Sequence, residues 1–253
     1  MNFGAKTLLR GSNSPEVEEL QICLAGFRGT TWDGDFGPGT ELQVIAFQTD
    51  YMKIDRPTGV VDNDMLSALK RFSQEIPVDF QKLRCPCGEC DGFGQNRFEG
   101  EYREGKPKIE AYHNREYPGI HKAILQTYRA AQFYATKAGF DMSFFASGYR
   151  CWVNNGQKNR KSTNHMGKAL DIDFPMKPRD DKRDDCNRCD NVRALLVDKC
   201  GFQIGWAASN RKALEPSNIA PSWIHMDVRC YSEKYLSTKY FVKSAEELDM
   251  NVL

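Results

Sequence analysis

Histidine is scarce in this chain of 253 residues: only His113, His121, His165 and His225 occur. Any imidazole chemistry must be built from these four. Long apolar runs are missing too, since no stretch approaches the roughly 18 residues that a membrane-spanning helix needs. Charge of one sign is not in excess, with 35 Lys+Arg against 34 Asp+Glu and a formal net charge of +1. That balance removes the simplest electrostatic argument for a nucleic-acid partner or an anionic membrane surface. The opening MNFGAKTLLRGSNSPEVEE lacks the continuous apolar core of a secretory signal, so synthesis in a cytoplasm is expected.

Cysteine is plentiful by contrast, and nine residues cannot all pair within one chain. Cys85, Cys87 and Cys90 lie in RCPCGEC, Cys186 and Cys189 in CNRC, and Cys200 soon after. Clustered, reduced thiols point to metal before disulfides. The two CxxC pairs, Cys87/Cys90 and Cys186/Cys189, can together close a four-thiolate structural zinc site. Cys151 and Cys230 flank predicted strands and can pair under oxidising conditions.

The chain divides near Pro77. In SPEVEELQICLAG, Ser14 suits an N-cap and Pro15 the first helical position, with Val17, Leu20, Cys23 and Leu24 on one face. After the turn WDGDFGPG, Thr40 can cap a second helix carrying Leu42, Ile45 and Phe47. A third helix is predicted from Asp62 to Phe72. Asp33 and Gly34 suit a tight turn, and Gly37 and Gly39 allow positive φ where a Cβ would clash. The order LLRGSNSPEVEELQ, DGDFGPGTELQVIAFQ and TGVVDNDMLSAL resembles the type 1 peptidoglycan-binding domain over residues 6 to 72. The resemblance implies peptidoglycan, glycan or stem peptide, as the partner.

Residues 77–117 are rich in Pro, Gly and charge and read as an irregular connection. A long helix is predicted from Pro118 to Gly139, then strands in MSFFASGYR, ALDIDF and SWIHMDVRC. One long helix among separated strands fits an α+β domain. The expected division is therefore 1–76, 77–117 and 118–253.

The strongest chemical signal joins STNHMGKALDIDF to WIHMDVR. His165 and Asp171 lie either side of a glycine turn, with Asp173 on the same strand face as Asp171. His225 shares its own face with Asp227. Two imidazoles and one carboxylate leave a tetrahedral position open, the usual arrangement of a catalytic zinc. SGYR at Ser147–Arg150, TNHMGKALD at Thr163–Asp171 and WIHMD at Trp223–Asp227 resemble, in order, the motifs of zinc peptidases. That group includes D-alanyl-D-alanine carboxypeptidases and L-alanyl-D-glutamate endopeptidases, related in fold to lysostaphin-type peptidases and the hedgehog domain. The resemblance implies an antiparallel sheet with flanking helices, Zn2+ on His165, Asp171 and His225, and Arg150 stabilising an oxyanion.

Two departures from the pattern stand out. The spacer between His165 and Gly167 is one residue short, so Asp173 is an alternative ligand to Asp171. The position three before His225, where the family carries its general base, is Ser222. Asp227 and Glu215 are the candidates to replace it. His121 reads as surface or packing, and His113 as a possible substrate contact. Trp152, Trp206 and Trp223 suit either a groove lining or the core. The run KPRDDKRDD at 177–185 reads as a solvated loop.

Together these features lead to an expected monomeric, endolysin-like zinc peptidase hydrolysing stem or cross-link peptides of the bacterial wall. It would be made in a host cytoplasm and reach the wall through a holin-type opening or dedicated export. A bacterial effector of the same activity and a non-catalytic, zinc-containing wall binder are the alternatives.

Overall fold

The computed structural model describes residues 7–29, 32–95, 97, 115–160, 164–174, 182–207, 209–229 and 231–249. His113, Thr163, Cys230, the side chain of Cys186 and the side chains of the run at 177–185 lie outside the described set. The fold is mixed α+β, with helices at the N-terminus and a sheet in the C-terminal part.

Three helices open the chain: α1 (Pro15–Cys23), α2 (Pro38–Asp50) and α3 (Asn63–Glu75). Ser14 does precede α1 in extended conformation, but its hydroxyl makes no cap. Its carbonyl oxygen instead accepts the Val17 N–H at 3.1 Å. Asp62 caps α3 as a carboxylate should, accepting the Met65 N–H at 2.9 Å.

Two expectations around α2 need correcting. Helix α2 begins at Pro38 behind Gly37, so Thr40 is inside its first turn rather than its cap. Gly37 has φ −87° and Gly39 is helical, and the positive φ of this turn falls on Gly34 at +79°. Proline supplies the fixed φ of a helix start, which displaces the boundary two residues upstream of Thr40.

A polar side chain explains the rest of that motif. Buried Gln21 donates to Asp33 Oδ1 and Thr40 Oγ1, each at 2.9 Å, and accepts the Gly34 N–H at 3.1 Å. Gln48 repeats the device, donating to Thr58 Oγ1 and the Val60 carbonyl and accepting the Gly59 N–H at 2.9 Å. These glutamines replace the backbone partners that a turn lacks. The LQ, DG-x-FG, T and FQ signature is thus foremost a loop-shaping network.

A short helix α4 (Phe80–Leu83) leads to the cysteine-rich segment. Strand β1 (Ile120–His121) pairs antiparallel with β7 (Phe241–Val242) and runs directly into helix α5 (Lys122–Lys137). The helix starts later than Pro118 because residues 120 and 121 are committed to that pairing. His121 is its cap: Nδ1 accepts the Ala123 N–H at 3.2 Å, and Nε2 donates to the Tyr235 carbonyl at 2.7 Å. Burial pushes this imidazole down to about 4, so it is a neutral packing residue beside Trp32.

The main sheet contains β2 (Phe144–Ser147), β3 (Ala169–Asp173), β4 (Gln203–Ile204), β5 (Ala213–Leu214) and β6 (Ile224–Asp227), ordered β2-β3-β6-β5-β4. All neighbours are antiparallel except the short β4–β5 pair at one edge, which is parallel. Helix α6 (Trp152–Gln157) follows β2, α7 (Lys182–Cys200) packs across α5, and α8 (Ala245–Asp249) closes the described chain.

The helical and sheet parts share one continuous hydrophobic core. Phe27 meets Phe47 at 5.1 Å and Phe72 at 5.5 Å, both edge-to-face, and reaches Phe133 and Tyr134 of α5 at 6.2 and 5.7 Å. Tyr134 donates to Asp50 at 2.7 Å, and buried Lys212 to the Ala25 carbonyl at 2.6 Å. The two parts are docked, not strung on a free linker. Phe27→Ala should therefore cost roughly 3–5 kcal/mol and lower both parts in a single thermal transition. Calorimetry showing a loss under about 1 kcal/mol would contradict the shared core.

Candidate metal centre

Antiparallel pairing of β3 with β6 sets Asp171 directly opposite His225, and β2 sets Ser147 opposite Asp171. Directly opposed residues point to the same face of a sheet, so Asp171 and His225 meet without any loop rearrangement. His165 comes from the turn before β3. That turn is tied to the SGYR segment by two bonds: Arg150 N–H to the His165 carbonyl, and His165 Nδ1 to the Gly148 carbonyl, both at 2.9 Å.

Gly148 is needed for this approach. A Cβ there would lie 2.4 Å from the Leu83 carbonyl oxygen, and Tyr149 N–H bonds that same oxygen at 2.8 Å. Only a residue without a side chain lets the turn sit so close to the α4 end.

One donor atom from each of His165, Asp171 and His225 lies within 4.8 Å of the other two, and all three residues are buried. His225 Nδ1 is 2.7 Å from Asp171 Oδ1, and His165 Nε2 is 3.2 Å from Asp171 Oδ2. His165 Nε2 makes no well-aligned hydrogen bond among the described residues, although Asp171 Oδ2 stands at that 3.2 Å. A buried ring nitrogen left in this way is costly unless something else binds it. Each imidazole has its other nitrogen fixed, His165 by Gly148 and His225 by Asp227 Oδ2 at 3.2 Å. Outer partners of this kind orient metal-ligating histidines.

The electrostatics follow from this packing. Burial lowers the His225 pKa, but Asp171 and Asp227 on either side outweigh it and push it up to about 9. Burial pushes His165 down, with Asp171 opposing. Burial disfavours ionised Asp171, yet the two imidazoles hold its carboxyl well below the usual carboxylate range. Arg150 Nη2 also ion-pairs with Asp171 Oδ2.

The other expected residues divide clearly. Asp173 pairs across from Phe144, with its carboxylate accepting the Phe174 N–H at 2.9 Å, and it does not join the cluster. Asp227 is wholly buried, bound to His225 and within 3.4 Å of Arg229 Nε. Glu215 is half-buried in the loop after β5, where its N–H bonds the His225 carbonyl at 3.2 Å. Burial raises its pKa, while His225 draws it down and Asp171 and Asp227 push it up. Ser222 is exposed. Trp152 and Trp223 are half-buried, and Trp206 lies under the Arg229 guanidinium at 4.2 Å.

Arg193 has no sequence signature, yet it organises the loop that carries Glu215. Its guanidinium donates to the carbonyls of Glu215 at 2.9 Å, Trp223 at 2.8 Å and Ala220. Only the fold brings those carbonyls to one side chain.

The expected cysteine set is corrected. Cys87 and Cys90 are joined by Cys85 and Cys151, and Cys189 is buried elsewhere on α7. The Leu83–Tyr149 pairing decides this, because it carries Cys85 and Cys151 to the same place.

The polar networks of Gln21 and Gln48 complete the features of the helical part. Residues 13–69 match the family described as "Putative peptidoglycan binding domain". The match spans α1 to most of α3, and it supports peptidoglycan as the partner and association with the cell wall. No curated protein matches the chain. No helix among the described residues is long and apolar enough to cross a membrane.

Proposed function

We propose that this chain is a zinc-dependent peptidase that hydrolyses amide bonds in the peptides of peptidoglycan. The observation that carries the reading is the convergence of His165, Asp171 and His225, buried and individually oriented, in a chain that also bears a peptidoglycan-binding domain. Two nitrogens and one carboxylate oxygen suit Zn2+, and a cation between His165 Nε2 and Asp171 would satisfy a nitrogen that makes no well-aligned hydrogen bond. When bound, the ion supplies Lewis-acid polarisation of a carbonyl and of a water molecule.

The remaining work falls to the chain's own groups. Glu215 accepts a proton from water as the water oxygen adds to the amide carbon. Arg150 donates to the carbonyl oxygen as negative charge develops there. The C–N bond then breaks, and Glu215 returns the proton to the departing amine. Asp227 keeps His225 in its ring orientation, which its burial between His225 and Arg229 suits better than proton transfer. The substrate lies in the wall, where the protein would act.

Purified sacculi should release new amino termini with zinc-loaded protein and none after dipicolinate treatment. The exposed Ser222, at the position of the family's base, favours one second reading: a non-catalytic wall binder. Wall binding with no new amino termini would select that reading.

His225 would have to lose its second ring proton to ligate, and Asp171 and Asp227 push that pKa up to about 9. The affinity of chelator-stripped protein should therefore rise with pH, by about tenfold per unit at most, and level off near pH 9. Competition against a chromophoric chelator measures this. An affinity flat between pH 6 and pH 8 would contradict the raised pKa of His225 in the metal-free protein.

A further inference from the structure

We propose that Cys85, Cys87, Cys90 and Cys151 bind one structural zinc ion as four thiolates, at a site separate from the His165–Asp171–His225 cluster. One sulfur from each lies within 4.8 Å of all the others. Four sulfurs around a tetrahedral zinc, at about 2.3 Å from the metal, stand roughly 3.8 Å apart. The cluster needs little movement to reach that geometry. Cys87 and Cys90 sulfurs are 3.4 Å apart, whereas a disulfide would hold them at about 2.05 Å.

Backbone N–H groups converge on the cluster as they do around metal-bound thiolates. Cys87 Sγ accepts the N–H groups of Glu89 and Cys90, both at 3.3 Å. Cys85 Sγ accepts the Cys151 N–H at 3.4 Å, and Cys151 Sγ the Asn154 N–H at 3.5 Å. Three of the four sulfurs thus face backbone donors, as anionic acceptors should. A divalent cation suits such a set, because soft thiolates select zinc and their protons leave to solvent on binding.

The ion would staple the segment after α4 to the residue following Arg150. That turn also presents the Gly148 carbonyl to His165, so a metal at the thiols would brace the candidate metal centre without taking part in it. The thiol site stands whether or not His165, Asp171 and His225 hold an ion.

Cobalt substitution separates the two sites, because only sulfur ligands give intense near-ultraviolet charge-transfer absorption. Reduced wild-type protein and His225→Ala should both show the band, and Cys90→Ser should lose it. A thiol-specific mercurial should release about one zinc equivalent from His225→Ala and none from Cys90→Ser. Absence of the band in reduced, folded wild type would overturn the site, and so would its persistence in Cys90→Ser. Disulfides among these four cysteines by mass spectrometry, with no zinc, would do the same. If Cys90→Ser fails to fold, the wild-type and His225→Ala spectra still decide.

Discussion

His225→Ala is expected to bring release of amino termini from peptidoglycan to background and to remove the zinc held by the histidine cluster. The loss should be this large because His225 joins both sides of the arrangement: Nδ1 meets Asp171 at 2.7 Å and Nε2 meets Asp227 at 3.2 Å. Its removal leaves two buried carboxylates without the imidazole between them, Asp171 held then by Arg150 and His165 and Asp227 by Arg229, and a buried charge that loses a partner is costly. Some destabilisation must accompany the effect. Wall binding offers the control, since residues 13–69 make no use of His225. Retained binding with lost turnover and lost metal is the expected pattern. Normal turnover in the variant would remove His225 from the chemistry.

Glu215→Gln should lower kcat by about 10²–10⁴ while zinc content stays unchanged, the usual range for loss of a general base. Glu215 suits the role because it is half-buried with a raised pKa, close enough to feel His225, Asp171 and Asp227. Asp227→Asn should behave differently. As the outer partner of a ligating histidine it should cost about 10–100-fold, expressed mainly as weaker metal binding that excess zinc partly repairs. If Asp227→Asn instead loses turnover with its zinc intact and Glu215→Gln is active, the two roles are exchanged. The pH profile sharpens the contrast: loss of a base with a raised pKa removes the acidic limb of kcat against pH.

The alternating strands and the long helix were legible because their apolar residues repeat at periods of two and 3.6. His165, Asp171 and His225 could be named from motif order, but the opposition of Asp171 to His225 is a matter of register, and register is set by pairing between distant segments. That register also leaves Asp173 opposite Phe144, a distinction invisible in ALDIDF itself. The cysteines show the limit most clearly. Spacing alone matches one CxxC with another, whereas contact follows the backbone bond between Leu83 and Tyr149, 66 residues apart, which selects Cys85 and Cys151. Thr40 and Gly37 differ from expectation for a local reason, since Pro38 sets the helix start and leaves the tight turn to Gly34.

Docking of the two parts through Phe27, Phe133 and Tyr134 also changes how wall binding would aid catalysis. A flexible tether raises local concentration alone, whereas a fixed interface sets the angle at which bound polymer meets the centre. The most direct test of the account is mass spectrometry of muropeptides after incubation of purified peptidoglycan with zinc-loaded protein. The account predicts product pairs differing from their parent by one added water at an amide bond of the stem or cross-link peptide, absent with His225→Ala. Muropeptides left intact by folded, zinc-loaded, wall-bound protein would contradict it.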